Sequence, residues 1–306
     1  MTDAASVLAT PRRRAGSGAR LRAVGYGVLG IATLIVVWEV YKWLGPANGL
    51  VIGETRVLPR TSDLAMPHVI DMVARLFEPV TRAQGARVLW LEVVLAATVT
   101  LGIAAVGWVV GVIVGIGLAL LMQRWVVAES AVLPWVILSQ TVPLIAFAPL
   151  VKSWGSRLEL GVIDWQDWMS VAVIASYLAF FPIAVGTLKG FQAADRTHLE
   201  LMHTYSAGWW STMRYLRLPT AVPYLLPALR LGAANAVVGA VVAEVSTGLQ
   251  GGIGRMVIQF AGQASGDPAK AWAPIFGAIA LGLIAAGSVA LLGLTVKNYR
   301  RTESAA

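Results

Sequence analysis

The sequence has no cysteine among its 306 residues, which excludes disulfide bonds and thiolate metal ligands. Charge is also scarce, because only 13% of the residues are charged, against about 25% in an ordinary soluble domain. Hydrophobic residues make up 57% of the chain and are concentrated in long runs. We therefore predict an integral membrane protein rather than a soluble one.

Patterns typical of enzyme and cofactor sites are missing as well. The histidines His68, His198 and His203 share no ligand spacing with carboxylates, so no metal site is expected. The glycine-rich stretch 248–255 lacks the Lys-Ser/Thr pair that closes a phosphate loop, and it opens no βαβ unit. We expect neither a cofactor nor a catalytic site, and any ATP hydrolysis is expected in a separate subunit.

A net charge of +8 would suit either nucleic acid or a membrane surface. The basic residues lie at the ends of the apolar runs and form no continuous stripe. The expected partner of the apolar surface is therefore the lipid bilayer, and nucleic-acid binding is not expected.

Six apolar runs are long enough to cross a hydrocarbon core of about 30 Å, which takes about 20 helical residues. The runs are continuous rather than alternating, and backbone groups in lipid must bond internally, so each run is predicted to be a helix. They cover residues 23–44, 98–122, 135–151, 168–189, 221–243 and 271–296. The predicted fold class is all-α integral membrane with six transmembrane helices.

The first run follows Arg12, Arg13 and Arg14, as in a secretory signal. It is longer than a signal core and no small-residue cleavage site closes it, so we expect it to be retained. A modest excess of Lys and Arg places both termini in the cytoplasm. The predicted organisation is a cytoplasmic tail 1–22, a first helix 23–44, an extracytoplasmic segment 45–87, a transmembrane domain 88–296 and a cytoplasmic tail 297–306.

Segment 45–87 contains apolar residues at helical spacing, which predicts an amphipathic helix that lies in the membrane interface or packs on neighbouring spans. These residues are Met66, Val69, Ile70, Val73, Leu76 and Phe77.

Glycine and proline mark the second and third runs. Gly107, Gly111 and Gly115 recur every four residues, which lets another backbone approach closely. Pro134, Pro143 and Pro149 kink the third run and free backbone carbonyls, which in lipid must face protein or water. The third run is predicted either to line an internal passage or to carry a purely structural kink.

The stretch between the fourth and fifth runs, residues 191–219, is mixed in polarity. Thr197 and Glu200 have the spacing of a capping box, so a helix is predicted to start near Thr197.

This stretch resembles the "EAA" loop of the permease subunits of ATP-binding-cassette importers, in which Glu-Ala-Ala begins a short helix, a glycine follows after three residues, and Leu-Pro closes the motif. Glu200, Leu216, Leu218 and Pro219 match the motif. Leu201 and Met202 replace the two alanines, and Ser206 replaces the glycine.

Other parts of the chain resemble the same family, over roughly residues 91–296. They are Val142-Pro143-Leu144, Ala148-Pro149-Leu150, Phe180-Phe181-Pro182, Gly190, Pro223, Gly232, Glu244 and Gly252-Ile253-Gly254. The resemblance is to the nitrate/sulfonate/taurine-type branch, which includes permeases for pyrimidine vitamin precursors and riboflavin. It implies a five-helix type I importer permease core preceded by one additional N-terminal helix.

The resemblance also implies the partners and the mechanism. The partners would be a cytoplasmic ATP-binding-cassette ATPase, an extracytoplasmic solute-binding protein and a second permease copy. The mechanism would be alternating access in a multi-pass protein of the inner membrane. The residues implied to contact the ATPase are Glu200, Met202, Tyr205, Ser206, Trp209, Met213, Leu216 and Pro219.

Six residues are candidates for the translocation pathway: Gln140, Pro143, Phe147, Tyr177, Phe181 and Glu244. The aromatic residues would either stack on a planar solute or pack between spans. Glu244 would either order an outer gate through hydrogen bonds to the following glycines or be a solvated surface residue.

Two other classes of function remain open at this point. A stand-alone secondary transporter would need a buried ion-coupling site, for which Glu92, Arg230 and Glu244 are candidates without clear partners. A membrane enzyme would need a catalytic constellation, which the sequence does not display.

Overall fold

The computed structural model describes residues 17–52, 54–157 and 164–295. The chain divides into two compact units, residues 1–72 and 73–306. The predicted tail 297–306 and most of the tail 1–22 lie outside the described residues.

The first unit begins with α1 (Ser17–Leu44), whose part Gly25–Leu44 is long and apolar enough to cross a membrane. Two short antiparallel strands follow, β1 (Leu50–Ile52) and β2 (Thr55–Leu58). The apolar runs of the sequence do not predict this hairpin, which is too short to give a hydropathy signal.

Two charged residues near the end of α1 organise the chain that follows. The Lys42 ammonium donates hydrogen bonds to Asp63 Oδ1 and to the Met66 carbonyl, both at 2.6 Å. The Glu39 carboxylate accepts the Val69 N–H at 2.8 Å. Because Val69 begins the next helix, α2 (Val69–Arg75), this carboxylate compensates the positive N-terminal end of the helix dipole.

Helix α2 lies within the predicted amphipathic segment but spans only seven residues. Met66 and Met72 are buried, whereas Ile70 and Phe77 are 72% and 68% exposed. Of the six predicted apolar residues, Val69, Ile70 and Val73 lie in α2, whereas Met66 precedes the helix and Leu76 and Phe77 follow it. The placement of this segment in the membrane interface stays a prediction.

The second unit is a bundle of four long helices: α3 (Leu89–Arg124), α6 (Asp167–Gln192), α9 (Leu218–Thr247) and α11 (Ala273–Thr295). Helix α6 packs between α3 and α9, and α11 lies against both α3 and α9. Each of these four predicted spans is present as a helix long and apolar enough to cross a membrane. Val296, the end of the last predicted run, lies outside the described residues.

The glycine stripe on α3 is where α6 approaches most closely. A Cβ added at Gly107 would lie 2.5 Å from Ala175 Cβ, and one at Gly111 would lie 2.7 Å from Ala179 Cβ. Only a residue without a side chain fits at this separation, which confirms the predicted packing role of the stripe.

The third predicted run is broken rather than continuous. It forms α4 (Val126–Ser139) and α5 (Leu144–Gly155), whose axes are bent by 103°. The prediction of one helix over 135–151 is wrong, because Pro143 has no N–H to continue the helix and also disfavours helical geometry at Val142. If the bent pair counts as one span, the part of the chain that the structure describes has the predicted six.

Shorter elements complete the second unit. Between α6 and α9 lie α7 (Arg196–Thr204), α8 (Trp209–Thr212) and a π-helical turn, Met213–Arg217. Between α9 and α11 lie α10 (Ile253–Ala261) and a 3₁₀ turn, Lys270–Trp272. We call residues 193–217 the α6–α9 loop.

Candidate functional site

The α6–α9 loop begins with a capped helix, although the cap differs from the predicted one. The Asp195 side chain accepts the Thr197 N–H at 2.7 Å, and α7 starts at Arg196. This hydrogen bond lowers the pKa of the Asp195 carboxyl. The predicted Thr197–Glu200 capping box is wrong, because Asp195 already accepts the amide and both predicted partners lie inside the helix. Glu200 instead pairs with Arg196 at 3.1 Å.

Helix α7 ends in a tight left-handed turn centred on Ser206. Ser206 has φ 53°, and it is the only non-glycine residue with positive φ in the described part of the chain. The Ala207 N–H donates to the Met202 carbonyl and the Ser206 N–H donates to the His203 carbonyl, both at 2.9 Å. These two bonds define a Schellman motif, whose left-handed position usually holds glycine. Ser206 occupies the position where the resembling loop has its glycine.

A π-helical turn and Pro219 join the loop to α9. The Leu218 N–H donates to the Met213 carbonyl, five residues earlier. Pro219 cannot donate to the carbonyl of Tyr215, and its ring would crowd that carbonyl in a regular α-helix. The wider π turn relieves this conflict. Helix therefore continues without a break from Trp209 to Thr247, over 39 residues.

The side chains of the loop divide into an exposed set and a buried set. Tyr205 and Trp210 are 75% and 73% exposed, Leu201 is 49% exposed, and the Glu200 side chain is 68% exposed. Ser206 is exposed, whereas Met202, Leu216 and Pro219 are half-buried. These exposed groups are free to meet a partner protein.

Met213 is 1% exposed and packs within a cluster that includes Met122, Leu188 and Phe191. The prediction that Met213 belongs to the contact face is therefore wrong. Trp209 is half-buried on the same cluster, and the Arg124 guanidinium lies 5.3 Å from its ring centre.

Trp210 was not among the residues predicted to contact the ATPase. The signal was the Trp209-Trp210 pair itself, because neighbouring residues on a helix point in different directions and only one can face the core.

The break between α4 and α5 brings several predicted pathway residues together. Pro143 has no N–H to donate to the Ser139 carbonyl, as a regular helix would require. That carbonyl accepts hydrogen bonds from the Val142 N–H at 3.3 Å and from the Tyr177 hydroxyl instead. The Tyr177 ring lies 5.4 Å from that of Phe147 and 5.8 Å from that of Phe180.

Two other predicted pathway residues relate differently to this break. The exposed Gln140 amide donates to Ser139 Oγ at 3.2 Å. Phe181, which was predicted for the pathway, is half-buried and takes no part in this aromatic row. Phe180 continues the row in its place.

Glu244 lies in a separate cluster, which we define as Thr100, Glu244 and Gly252–Gly254. The Glu244 side chain is fully buried, and its Oε2 accepts the Gly254 N–H at 2.7 Å and the Thr100 hydroxyl at 3.1 Å. The Thr100 oxygen in turn accepts the Ile253 N–H at 2.9 Å. The predicted hydrogen bonding of Glu244 to the glycine stretch is present, and the alternative of a solvated surface carboxylate is wrong.

The Glu244 cluster joins three helices. Thr100 belongs to α3, Glu244 to α9, and the glycines begin α10. A Cβ added at Gly252 would lie 2.3 Å from Glu244 Cδ, so the carboxylate rests directly on the backbone of the α10 start. Negative charge at the first turn of α10 is favourable because the free amides there carry partial positive charge. Within the described residues, no group of three or more His, Asp or Glu side chains is placed to hold a metal ion.

Comparison with known proteins identifies relatives over most of the chain. Residues 111–298 match the family model described as binding-protein-dependent transport system inner membrane component. The formylaminopyrimidine transport permease protein ThiX of Halalkalibacterium halodurans is 30% identical over 88% of this chain and 94% of its own length. The putative aliphatic sulfonates transport permease protein SsuC of Bacillus subtilis is 25% identical over 76% of this chain and 72% of its own.

Two further matches are partial or distant. The riboflavin transport system permease protein RibX of Chloroflexus aurantiacus is 33% identical over 42% of this chain and 44% of its own. The crystal structure of an amino acid ABC transporter with histidines has 17% identity and a TM-score of 0.50, covering 68% of this chain and 94% of that one. At this identity the structural match shows a shared fold.

Proposed function

This chain belongs to the family of binding-protein-dependent transport system inner membrane components, and we propose from that membership how its parts divide the work of import. The chain is a multi-pass permease subunit of an ABC importer in the inner membrane. Its proposed partners are a second copy of itself, a separate cytoplasmic ATPase and an external solute-binding protein. The alternative of a stand-alone secondary transporter is not supported, since the relatives are permeases of ABC importers.

In this proposal the α6–α9 loop is cytoplasmic and seats in the ATPase. The observation that carries it is the left-handed turn at Ser206, which ends α7 ahead of α8 at the position of the family's glycine. The result is a helix–turn–helix projection with Tyr205, Trp210 and Leu201 exposed on its surface. Large side chains of this kind are the usual anchors of a protein interface. Exposed Glu200 would orient the contact through a basic group on the ATPase.

Movement of this projection would reach the membrane through α9. Trp209 and Glu244 belong to one uninterrupted helix, so a displacement at the loop end is carried to the Glu244 cluster. We propose that the Glu244 cluster holds the outer gate by fixing the start of α10. Opening and closing of this gate would then follow the nucleotide state of the ATPase, provided that ATP binding favours one conformation over the other.

The translocation pathway is proposed to run beside the α4–α5 break, where the Gln140 amide is exposed next to the row Phe147, Tyr177 and Phe180. A second permease copy would complete it. The solute is proposed to be of the sulfonate, pyrimidine or riboflavin class for which the relatives are named. The test compares the uptake rates of a labelled pyrimidine and a labelled alkanesulfonate into vesicles that contain the reconstituted transporter, with the partner binding protein added. The solute that is taken up faster identifies the class.

The coupling proposal is tested with the assembled transporter in nanodiscs. Tyr205→Ala and Trp210→Ala should each weaken ATPase co-purification by about thirtyfold if they act as anchors worth about 2 kcal/mol. Tyr26→Ala and Trp43→Ala are matched controls, because these side chains are 72% and 83% exposed on α1. Wild-type ATPase binding in both loop variants would show that the loop is not the docking site.

The orientation is tested with single cysteines, which need no prior substitution because the chain has none. A cysteine at exposed Ser211 should be protected from an impermeant thiol reagent in intact cells, and one at exposed Thr81 should be labelled. The reverse pattern would invert the proposed topology.

A further inference from the structure

A polar recess lies between the first turns of α3 and α10, close to the Glu244 cluster. It encloses about 330 Å³ and is lined by Arg87, Glu92, Gln250, Gly252, Arg255 and Gln259, with Leu95, Val99 and Met256 as apolar wall. Neither the α6–α9 loop nor the row of Phe147, Tyr177 and Phe180 contributes to its lining. The recess is therefore a feature that the proposed pathway does not use.

The charges in the recess do not cancel. Arg87 pairs with Glu92 at 3.3 Å, which neutralises both. Arg255 is half-buried and makes neither a hydrogen bond nor an ion pair with any residue in the described ranges 17–52, 54–157 and 164–295. One guanidinium therefore faces the recess with all its donors available.

The position of Arg255 is also unfavourable for the helix that carries it. It is the third residue of α10, where the free amides already carry partial positive charge. An acidic or neutral residue would suit this turn better. A residue that breaks a local rule without compensation is expected at a functional position.

We propose that this recess receives an acidic side chain of the solute-binding protein. The proposal rests on the proposed function, which supplies that partner and places the recess on the external side. The apolar wall suits the methylene stem of a glutamate, and the Arg255 guanidinium pairs with its carboxylate in the two-pronged geometry that arginine favours. Gln250 and Gln259 supply further amide donors at the rim.

Docking in the recess would be transmitted to the Glu244 cluster through Gly252. This residue lines the recess on one side and touches the Glu244 carboxylate on the other, where an added Cβ would lie 2.3 Å from Cδ. An incoming carboxylate would also compete with Glu244 for the positive end of α10. Binding in the recess would therefore affect α9, which carries Glu244 and continues from the α6–α9 loop.

The test measures ATPase activity of the complete transporter in nanodiscs while the solute-binding protein is titrated. Arg255→Gln should raise the concentration for half-maximal stimulation by about tenfold or more, with basal and maximal rates unchanged. Arg255→Glu should be weaker still, and Arg255→Lys should retain part of the wild-type affinity. Rising salt should reduce the difference between wild type and Arg255→Gln, because exposed charge pairs are screened.

Two features keep the test decisive. Gln and Glu both suit the first turn of α10 better than Arg, so a loss of affinity is not an effect of unfolding. Arg82→Gln serves as the control, because Arg82 is exposed and does not line the recess. Wild-type half-saturation in both Arg255→Gln and Arg255→Glu would overturn the proposal, and so would a fall in maximal rate at unchanged half-saturation, which would place Arg255 in gating. Failure of the proposed function would look different, since the wild-type complex itself would then show no stimulation.

Discussion

Removing the Glu244 carboxylate should loosen three helices together, and the effect can be worked from the structure. The perturbations are Glu244→Ala, Thr100→Val and the double variant. In Glu244→Ala the Gly254 N–H loses the acceptor that it now has at 2.7 Å. The Thr100 hydroxyl loses its bond of 3.1 Å to Glu244 but keeps the Ala96 carbonyl as an acceptor at 3.2 Å. In Thr100→Val the Ile253 N–H loses its acceptor at 2.9 Å.

The magnitudes follow from burial. A hydrogen bond to a charged group contributes about 1.5–3 kcal/mol, and leaving a buried donor unpaired costs about 1–3 kcal/mol. Because the Glu244 side chain is fully buried, Glu244→Ala should reduce the free energy of unfolding by about 3–5 kcal/mol once the resulting cavity is included. Thr100→Val should cost about 1–3 kcal/mol. The double variant should cost less than the sum by about 1 kcal/mol or more, because the two residues share a hydrogen bond.

The assay is equilibrium unfolding of the purified permease in mixed micelles, with Gly102→Ala as a reference for α3, since nothing lies within 4 Å of a Cβ added there. Glu244→Gln should be milder than Glu244→Ala, because its carbonyl oxygen can keep both bonds made by Oε2. Strict additivity of the two single variants would refute the idea of one connected cluster. If Glu244→Ala lowers the free energy of unfolding by no more than an average surface substitution does, Glu244 does not stabilise the fold through these hydrogen bonds.

Four further predictions follow from single contacts. Ser206→Gly should stabilise the turn between α7 and α8, because the left-handed conformation of Ser206 costs an L-residue about 1–2 kcal/mol. Hydrogen exchange of the amides at positions 206 and 207 should slow, and unchanged exchange would argue against a strained turn. Gly111→Val should force α3 away from α6, where a Cβ would already lie 2.7 Å from Ala179 Cβ, and should abolish folding in a detergent melt that Gly102→Ala survives. Tyr177→Phe should lower the free energy of unfolding by about 0.5–1.5 kcal/mol through loss of the hydrogen bond to the Ser139 carbonyl, and an unchanged melt would show that water replaces the hydroxyl. The Thr197 N–H lowers the pKa of the Asp195 carboxyl in the folded chain, so the cap is fully present above the ordinary aspartate pKa and is lost as pH falls through the lowered value. Protection of the Thr197 amide, taken relative to its intrinsic exchange rate at each pH, should therefore fall only on that acid side, and Asp195→Asn should remove this pH dependence.

The spans were predictable because hydrocarbon thickness fixes the length of an apolar run, whatever its detailed sequence. The glycine stripe on α3 was predictable for a similar reason, since spacing alone places Gly107, Gly111 and Gly115 on one face. The size of the bend after Ser139 was not predictable. Pro143 guarantees a lost helical hydrogen bond, but the sequence does not show that the Ser139 carbonyl is bonded by the Tyr177 hydroxyl of another helix as well as by the Val142 N–H.

In the candidate sites as well, contacts between residues close in sequence were predictable and contacts between distant residues were not. The bonding of Glu244 to the nearby glycines was visible from their spacing, whereas Thr100 was missed because it lies 144 residues away and resembles any other threonine in a span. Near the loop, Asp195 and Thr197 are both good caps, and sequence gives no means of choosing between them. Buried Met213 was misassigned because Met213 and Trp209 share one helix face, and the sequence does not show that this face packs on the cluster of Met122, Leu188 and Phe191.

The unbroken helix from Trp209 to Thr247 sets a simple mechanical scale. At 1.5 Å per residue, Trp209 and Glu244 lie about 52 Å apart along one continuous helix, approximated here as a straight rod. If the rod pivots near its middle, a tilt of only about 2° swings each end by about 1 Å, which is enough to spoil a hydrogen bond of 2.7 Å. Events at the two ends of this helix then need no relay of side chains between them. The stiffness of the helix, which contains Pro223 and Pro227, limits how much of a small displacement at one end reaches the other.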